Sequence, residues 1–208
     1  QMAGATNYRT HRPTGGAAVG AHITKVLKKN AADRKIDIRV NSKVLKLIED
    51  GKGKVIGVVV EGKHSGTYTI LAKAVVMAAG GFSANQTLVG QYQPQFVGMT
   101  TSNQPGATGD GMLIGEQGGG QLIDMKEIQI HPTVAAGSRI LITEAVRGNG
   151  AILINRNGKR FVNELTTRDK ASQAVLAQPG GSAFLVFDSV IHKSLKQIDG
   201  YFELGLVK

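Results

Sequence analysis

The chain has 208 residues, 41% hydrophobic and 19% charged, with 28 glycines and neither cysteine nor tryptophan. Such a chain is globular and long enough for one large or two small domains, and it excludes a disulfide framework and a thiolate metal site while leaving the redox compartment open. The formal net charge is +10, but the cations are scattered, with no Lys/Arg run and only 4 Tyr and 6 Phe to stack on bases; this sets aside a nucleic-acid-binding module, whereas a diffuse positive field attracts small anions such as a dicarboxylate.

No apolar run reaches the ~20 residues of a membrane span. The opening Gln1-Met2-Ala3-Gly4 carries no signal-peptide pattern and reads as the start of an excised or mature segment. The first third reads as α/β structure. Val19, Ile23, Val26 and Leu27 recur at a helical period within residues 15–32, which end in a Lys28-Lys29-Asn30 tail. Residues 36–40 and 43–49 alternate as strands do, the second run through Val44, Leu45, Leu47 and Ile48. Asp50-Gly51-Lys52-Gly53 then turns the chain into a further β run over 54–61, a hairpin with its turn chemistry in place, and residues 67–71 supply a third strand.

Lys73-Ala74-Val75-Val76-Met77-Ala78-Ala79-Gly80-Gly81 is a continuous apolar run ending in small residues. It predicts a buried parallel strand, and doubly wound folds hold their ligands at the carboxyl ends of such strands. From structure alone, a strand ending at a diglycine is more often a matter of packing than of cofactor binding. Ser102-Asn103-Gln104-Pro105-Gly106-Ala107-Thr108-Gly109-Asp110-Gly111 leads into a helix through Leu113, Ile114 and Gln117. Small residues at a helix entrance expose amides and the positive dipole end, which suits an anionic cofactor group; a turn capped by Asp110 accounts for the same residues. Around residues 125–130 polar and catalytic-type residues appear, so a domain boundary is placed near residue 125. Beyond it come predicted strands at 151–154 and 183–187 and helices over 170–176 and 190–198, with no internal repeat or low-complexity linker.

The densest chemistry lies in Thr143-Glu144-Ala145-Val146-Arg147-Gly148-Asn149-Gly150, with His131-Pro132-Thr133 before it and Arg168 after it. In a helix or tight turn, Thr143 and Arg147 share a face, and Glu144 and Arg147, three apart, can meet. Thr-Glu-x-x-Arg alone describes a surface ion pair that stabilises by ~0.5 kcal/mol. The surrounding sequence argues for more.

Six stretches occur in order: Arg12-Pro13-Thr14-Gly15-Gly16, residues 75–82, Pro105-Gly106-Ala107-Thr108-Gly109-Asp110-Gly111, His131-Pro132-Thr133, residues 143–150, and Arg160-Phe161-Val162-Asn163-Glu164 continuing to Arg168-Asp169-Lys170-Ala171. Together they resemble the soluble flavocytochrome c fumarate reductases, within the wider fumarate reductase/succinate dehydrogenase flavoprotein family. The resemblance runs along essentially the whole chain. It implies a mixed α/β fold: residues 1–125 as part of a Rossmann-like FAD-binding domain with a β-hairpin insertion, then 126–208 as part of a mobile clamp (capping) domain carrying catalytic residues.

The resemblance also implies an activity, the FAD-dependent addition of two hydrogens across the double bond of fumarate to give succinate. Arg168 would donate the proton, Glu144 and Arg147 would relay protons to it, and His131 and Thr143 would hydrogen-bond one substrate carboxylate. Val44 (through its backbone), Ala78, Ala79, Gly80, Ser102 and Asp110 would meet the FAD, with Met2 in the hydrophobic wall of the site. In the intact parent a haem domain or another redox protein would supply electrons, and the resemblance points to the bacterial periplasm. An arginine is a weak acid, with a pKa above about 12, but the carbanion-like carbon it would protonate is more basic still. Cations that draw charge onto a carboxylate as hydride arrives, in a dry site, are what the reaction needs.

The chain also departs from the family pattern. It has no Gly-x-Gly-x-x-Gly loop, no counterpart of the family's later substrate-binding histidine and arginine, and no Cys-x-x-Cys-His for a c-type haem. It therefore reads as the middle of the parent, expected to bind FAD weakly or not at all and to be inactive alone. Thr143, Glu144 and His131 favour fumarate. Urocanate-reducing relatives are expected to carry aspartate in place of Glu144; acrylate-type acids and a non-catalytic ligand- or partner-binding domain are the remaining readings.

Overall fold

The computed structural model describes residues 7, 11–15 and 18–207. In chain order these form helix α1 (Val19–Asp33), strands β1 (Ser42–Glu49), β2 (Val55–Gly62) and β3 (Gly66–Leu71), and helices α2 (Gln86–Tyr92), α3 (Asp110–Gln117) and α4 (Glu144–Gly148). Strand β4 (Ile152–Ile154), helix α5 (Arg168–Leu176), strand β5 (Phe184–Val186) and helices α6 (Ser189–Ser194) and α7 (Gln197–Glu203) follow. The fold is mixed α/β, as the sequence indicates. Among the described residues the two sheets, β1-β2-β3 and β4-β5, are both antiparallel.

The chain divides into two compact units. One comprises residues 9–82 and 107–123; the other comprises 1–8, 83–106 and 124–208. A crossing at 124 lies beside the boundary expected near 125. Residues 83–106 group with residues 124–208.

In the unit holding residues 9–82 and 107–123, the hairpin forms as predicted. Asp50 Oδ1 accepts from the amides of Lys52 (2.9 Å) and Lys54 (3.0 Å), and Gly53 takes φ +76°, which closes the turn without a Cβ penalty. Val44 pairs with Val60 and Leu47 with Val58, putting Val60 at 2% exposure. Helix α3 packs its C-terminal Gly118 onto Leu47, where a Cβ would lie 2.4 Å from the leucine Cδ1.

Two expectations fail here. Residues 36–40 form no strand, with Ile36, Ile38 and Val40 all more than half exposed; left-handed Lys35 (φ 54°) and Asn41 (φ 54°) bracket the segment. Residues 73–81 form no strand either: the run has no ladder partner among the described residues, and Val76 is 86% exposed. The apolar stripe of α1 is similarly uncovered, with no buried residue along the helix.

The other unit holds the main apolar cluster: Val146, Ala151, Ile191, Ile198 and Tyr201, with Ile140, Ile142, Leu185, Phe187 and Leu195 packed against it. The strands expected at 151–154 and 183–187 are β4 and β5, and the helix expected at 170–176 is α5. The helix expected over 190–198 is two helices. Leu195 drops to φ −135°, ψ 93° between α6 and α7 while its side chain stays packed on the core. Asp188 starts α6 by accepting from the amides of Val190 and Ile191. Helix α2 has no counterpart among the predicted elements; Asn85 caps it by accepting from Leu88 N.

Candidate active site

His131, Thr143, Glu144, Arg147 and Arg168 all lie in the unit of residues 1–8, 83–106 and 124–208. Thr143 is the N-cap of α4, its Oγ1 accepting from Ala145 N at 3.4 Å. Glu144 opens the helix, where a carboxylate suits the dipole, and Arg147 lies one turn on. Arg168 opens α5. The pair is no surface ion pair: Glu144 is 6% exposed and Arg147 is fully buried.

Glu144 joins the two guanidiniums. Its Oε1 accepts from Arg147 Nη2 at 3.3 Å and from Arg168 Nε at 3.1 Å, and its Oε2 accepts from Arg168 Nη2 at 2.7 Å. Arg147 Nη1 donates to the main-chain oxygen of Glu164 at 2.7 Å, while its Nε, also buried, has no hydrogen-bond partner among the described residues. Burial works against ionised Glu144, but the hydrogen bond from Arg168 and the charges of Arg168 and Arg147 outweigh it and hold the carboxyl below its usual range. The Glu144 hydrogen bond raises the Arg168 pKa, whereas burial lowers that of Arg147.

His131 is half-buried. Its Nδ1 faces the amide of Thr133 at 3.2 Å, and Thr133 Oγ1 donates to Ile142 O at 3.0 Å. A backbone N–H can only donate, so Nδ1 is the lone-pair nitrogen and the neutral ring carries its proton on Nε2. Burial, then the charges of Arg168 and Arg147, push the His131 pKa down to about 4. Near neutral pH the imidazole is thus an uncharged single donor.

The residues expected to meet FAD are less assembled. Val44 sits in β1 opposite Val60. Ala78, Ala79 and Gly80 lie in the exposed, unpaired segment, and Gly80 adopts φ +80°. Asp110 is the first residue of α3 and not its cap, which is Gly109 at φ +80°. Thr108 Oγ1 donates to Asp110 at 2.8 Å, and Lys43 lies 3.4 Å from it. The Thr108 hydroxyl first, and Lys43 after it, hold this carboxyl below its usual range. Gly111 lets α3 close on the segment, since a Cβ there would meet Ala79 Cβ at 2.7 Å. Ser102 is exposed, in a bend of the other unit, and Met2 lies outside the described residues.

These features fit part of FAD. A backbone bare of large side chains at 78–81 suits a flat ring, and the Asp110 carboxylate suits a hydroxyl. That carboxylate also occupies the positive end of α3, so this helix entrance does not suit a phosphate.

Three residues of the cluster carry no role in the sequence reading. Gln129 accepts from Arg168 Nη1 at 2.7 Å. Thr133 holds His131. Glu164 anchors Arg147 through its carbonyl, while its carboxylate accepts from Leu153 N and Arg160. Thr133 and Glu164 stand within the quoted motifs, which is a signal of a kind; Gln129 has none.

Among the described residues there is no group of three His, Cys, Asp or Glu able to hold a metal ion, and no helix is long and apolar enough to cross a membrane.

The chain is similar to known flavoproteins along nearly its whole length. It is 53% identical over 205 residues to the fumarate reductase (cytochrome) of Shewanella frigidimarina, covering 99% of this chain and 36% of that protein. It is 33% identical over 204 residues to the urocanate reductase of Eggerthella lenta, covering 93% of this chain and 34% of the relative. The solved open conformation of a flavocytochrome c3 fumarate reductase superposes with a TM-score of 0.81 at 48% identity, over 95% of this chain and 35% of that one. The chain thus spans about a third of the length of these relatives. A model of the family described as FAD binding domain matches residues 2–204, and the chain belongs to that family.

Proposed function

We propose that this chain is part of an FAD-dependent fumarate reductase and carries its proton-delivery path and one carboxylate pocket. The observation that carries the reading is the unbroken hydrogen-bonded series Arg168–Glu144–Arg147, with contacts of 2.7 and 3.3 Å.

Reduced FAD would supply the hydride that one alkene carbon receives. His131, through Nε2–H, and Thr143, through its hydroxyl, donate to one carboxylate of the substrate and draw charge onto it. Arg168 gives a proton to the other alkene carbon, so that a hydride and a proton together turn the alkene into succinate. Arg168, left neutral, is recharged by a proton that passes from Arg147 to the ionised Glu144 and on to Arg168, after which solvent must recharge Arg147. Both oxygens of Glu144 are already engaged with guanidinium N–H groups, so each transfer through it runs along an existing hydrogen bond. The carboxylate between two guanidiniums screens their repulsion.

The exposed small-residue segment 78–81 and Val44 would contribute to the FAD surface, with Asp110 accepting from a cofactor hydroxyl and Ser102 closing over the cofactor. In this reading residues 1–125 belong to the FAD-binding part and 126–208 to the clamp. The resemblance to flavocytochrome c enzymes supports a haem domain or another redox protein as electron donor, and a periplasmic setting. Similarity to a urocanate reductase gives the second reading, reduction of another unsaturated acid; the glutamate at position 144 supports fumarate.

The test is reoxidation of the chemically reduced full-length protein. Fumarate should reoxidise the flavin rapidly and yield succinate. Reoxidation by urocanate or acrylate alone would replace the substrate, and binding of succinate without turnover would leave a ligand-binding domain.

A further inference from the structure

We propose that Tyr201 is a positioning residue for Thr143, holding the main chain from which the Thr143 hydroxyl reaches the substrate carboxylate. The inference rests on the carboxylate pocket proposed above.

Tyr201 lies on α7, 58 residues beyond Thr143, and its ring fills the core beside Val146, Ile191 and Ile198. Its hydroxyl accepts from Thr143 N at 2.8 Å and donates to Leu141 O at 3.4 Å. The residue between these two is gripped from another element: Ile142 N donates to Thr133 O at 2.8 Å, and Ile142 O accepts from Thr133 Oγ1 at 3.0 Å. The stretch 141–143 is therefore fixed by Tyr201 through residues 141 and 143 and by the His131 turn through residue 142.

The same arrangement leaves the Thr143 side chain lightly engaged. Its only hydrogen bond among the described residues is the long 3.4 Å cap to Ala145 N, in which the oxygen accepts and the hydroxyl proton stays available. A donor with so weak a tether of its own depends on its backbone for direction, and Tyr201 supplies the bond at that residue's amide. A tyrosine that merely fills a core needs one partner for its hydroxyl. This one spans both sides of the segment that enters α4.

The test compares Tyr201→Phe, Thr143→Ala and the double variant in the full-length flavin-loaded reductase. Tyr201→Phe keeps the ring that packs in the core, and retained flavin absorbance checks the fold. Tyr201→Phe should raise the fumarate KM about fivefold, the scale of one lost neutral hydrogen bond, with much the smaller part of the effect on kcat. In the Thr143→Ala background the same change should add nothing, because the group it positions is gone. Fluorotyrosine at position 201, which keeps the hydroxyl, should restore the KM. An equal penalty in both backgrounds, or an unchanged KM in Tyr201→Phe while Thr143→Ala raises it, would overturn the role of Tyr201 alone. An unchanged KM in Thr143→Ala would overturn the carboxylate pocket itself.

Discussion

Arg168 meets Glu144 along one edge of its guanidinium, Nε to Oε1 at 3.1 Å and Nη2 to Oε2 at 2.7 Å, and keeps Nη1 for Gln129 at 2.7 Å. A planar fork bound on two sides has little rotational freedom, so the direction of its N–H groups is set before a substrate arrives. The side chain is nevertheless 38% exposed, against 0% for Arg147. The series therefore runs from a reachable guanidinium, Arg168, to a buried one, Arg147.

Arg168→Lys in the full-length protein should cut fumarate reduction by about 10²–10⁴-fold, the usual worth of a positioned general acid. Lysine keeps the charge but cannot bind both Glu144 oxygens and Gln129 in one plane. Flavin content should be unchanged, because no residue proposed to meet FAD touches Arg168. Steady-state assays alongside the flavin spectrum check both halves, and near-normal turnover would remove Arg168 from the proton step.

Glu144→Gln should destabilise the full-length protein by about 3–5 kcal/mol, since it leaves fully buried Arg147 without its carboxylate. Turnover should fall as well. Denaturant midpoints of Glu144→Gln and of Glu144→Gln/Arg147→Met separate the causes. If the uncompensated cation is responsible, the double variant recovers stability while remaining inactive.

Both buried glutamates also set an acid limit. Burial raises the pKa of each, but Arg168 and Arg147 outweigh it at Glu144, and Arg160 with the Leu153 amide outweighs it at Glu164. A carboxyl depressed in the folded state contributes stability that is present above its unfolded pKa of about 4.3 and is lost as pH falls through the folded value. His131 adds to the same side. Its folded pKa of about 4 lies under the ordinary 6.5, so the unfolded chain binds the extra proton and stability declines as pH drops from 6.5 to 4. Denaturation at stepped pH should show a loss beginning near pH 6.5 and steepening below about 4.3, and His131→Gln should abolish the first part only.

The His131 tautomer gives an independent reading of the pocket. Nitrogen chemical shifts of labelled histidine in the full-length protein should show His131 neutral with its proton on Nε2 from pH 8 down to about 5. The KM for fumarate should accordingly carry no inflection from this residue near pH 6.5. An Nδ1–H signal would mean that the Thr133 amide does not bond the ring and that Nε2 is no donor.

The parts of the fold legible in the sequence are those whose contacts are local. Asp50 and Gly53 dictate their turn, so the register Val44–Val60 follows. The meeting of Glu144 and Arg147 follows from helical spacing. Residues 73–81 show the limit: an apolar run reports a demand for cover but not what provides it, and no described strand of this chain does. The break at Leu195 is likewise hidden, because the apolar period continues through it and tertiary packing decides. At the site, helical spacing brings Glu144 to Arg147, while Arg168 enters through the family resemblance of its motif. Neither reveals that Arg147 is held by the carbonyl of Glu164, since any residue has a carbonyl there.

The chain by itself should emerge colourless from a desalting column after incubation with FAD, whereas the full-length protein should retain visible flavin absorbance. Nowhere in the 208 residues does Gly-x-Gly-x-x-Gly occur, the loop whose amides and helix end take the pyrophosphate. The helix entrance that looks like a substitute, at α3, already carries Asp110, a carboxylate held ionised by Thr108 and Lys43. A phosphate brought there would face that charge. The exposed segment at 78–81 and the strand at Val44 offer apolar and backbone contact. Asp110→Asn separates the possibilities. If charge at α3 is the obstacle, the variant should gain measurable FAD affinity by fluorescence quenching; if the missing loop is decisive, it should stay empty. Flavin retained by the unaltered chain, with fumarate-dependent reoxidation after reduction, would show that the residues present grip the cofactor without that loop.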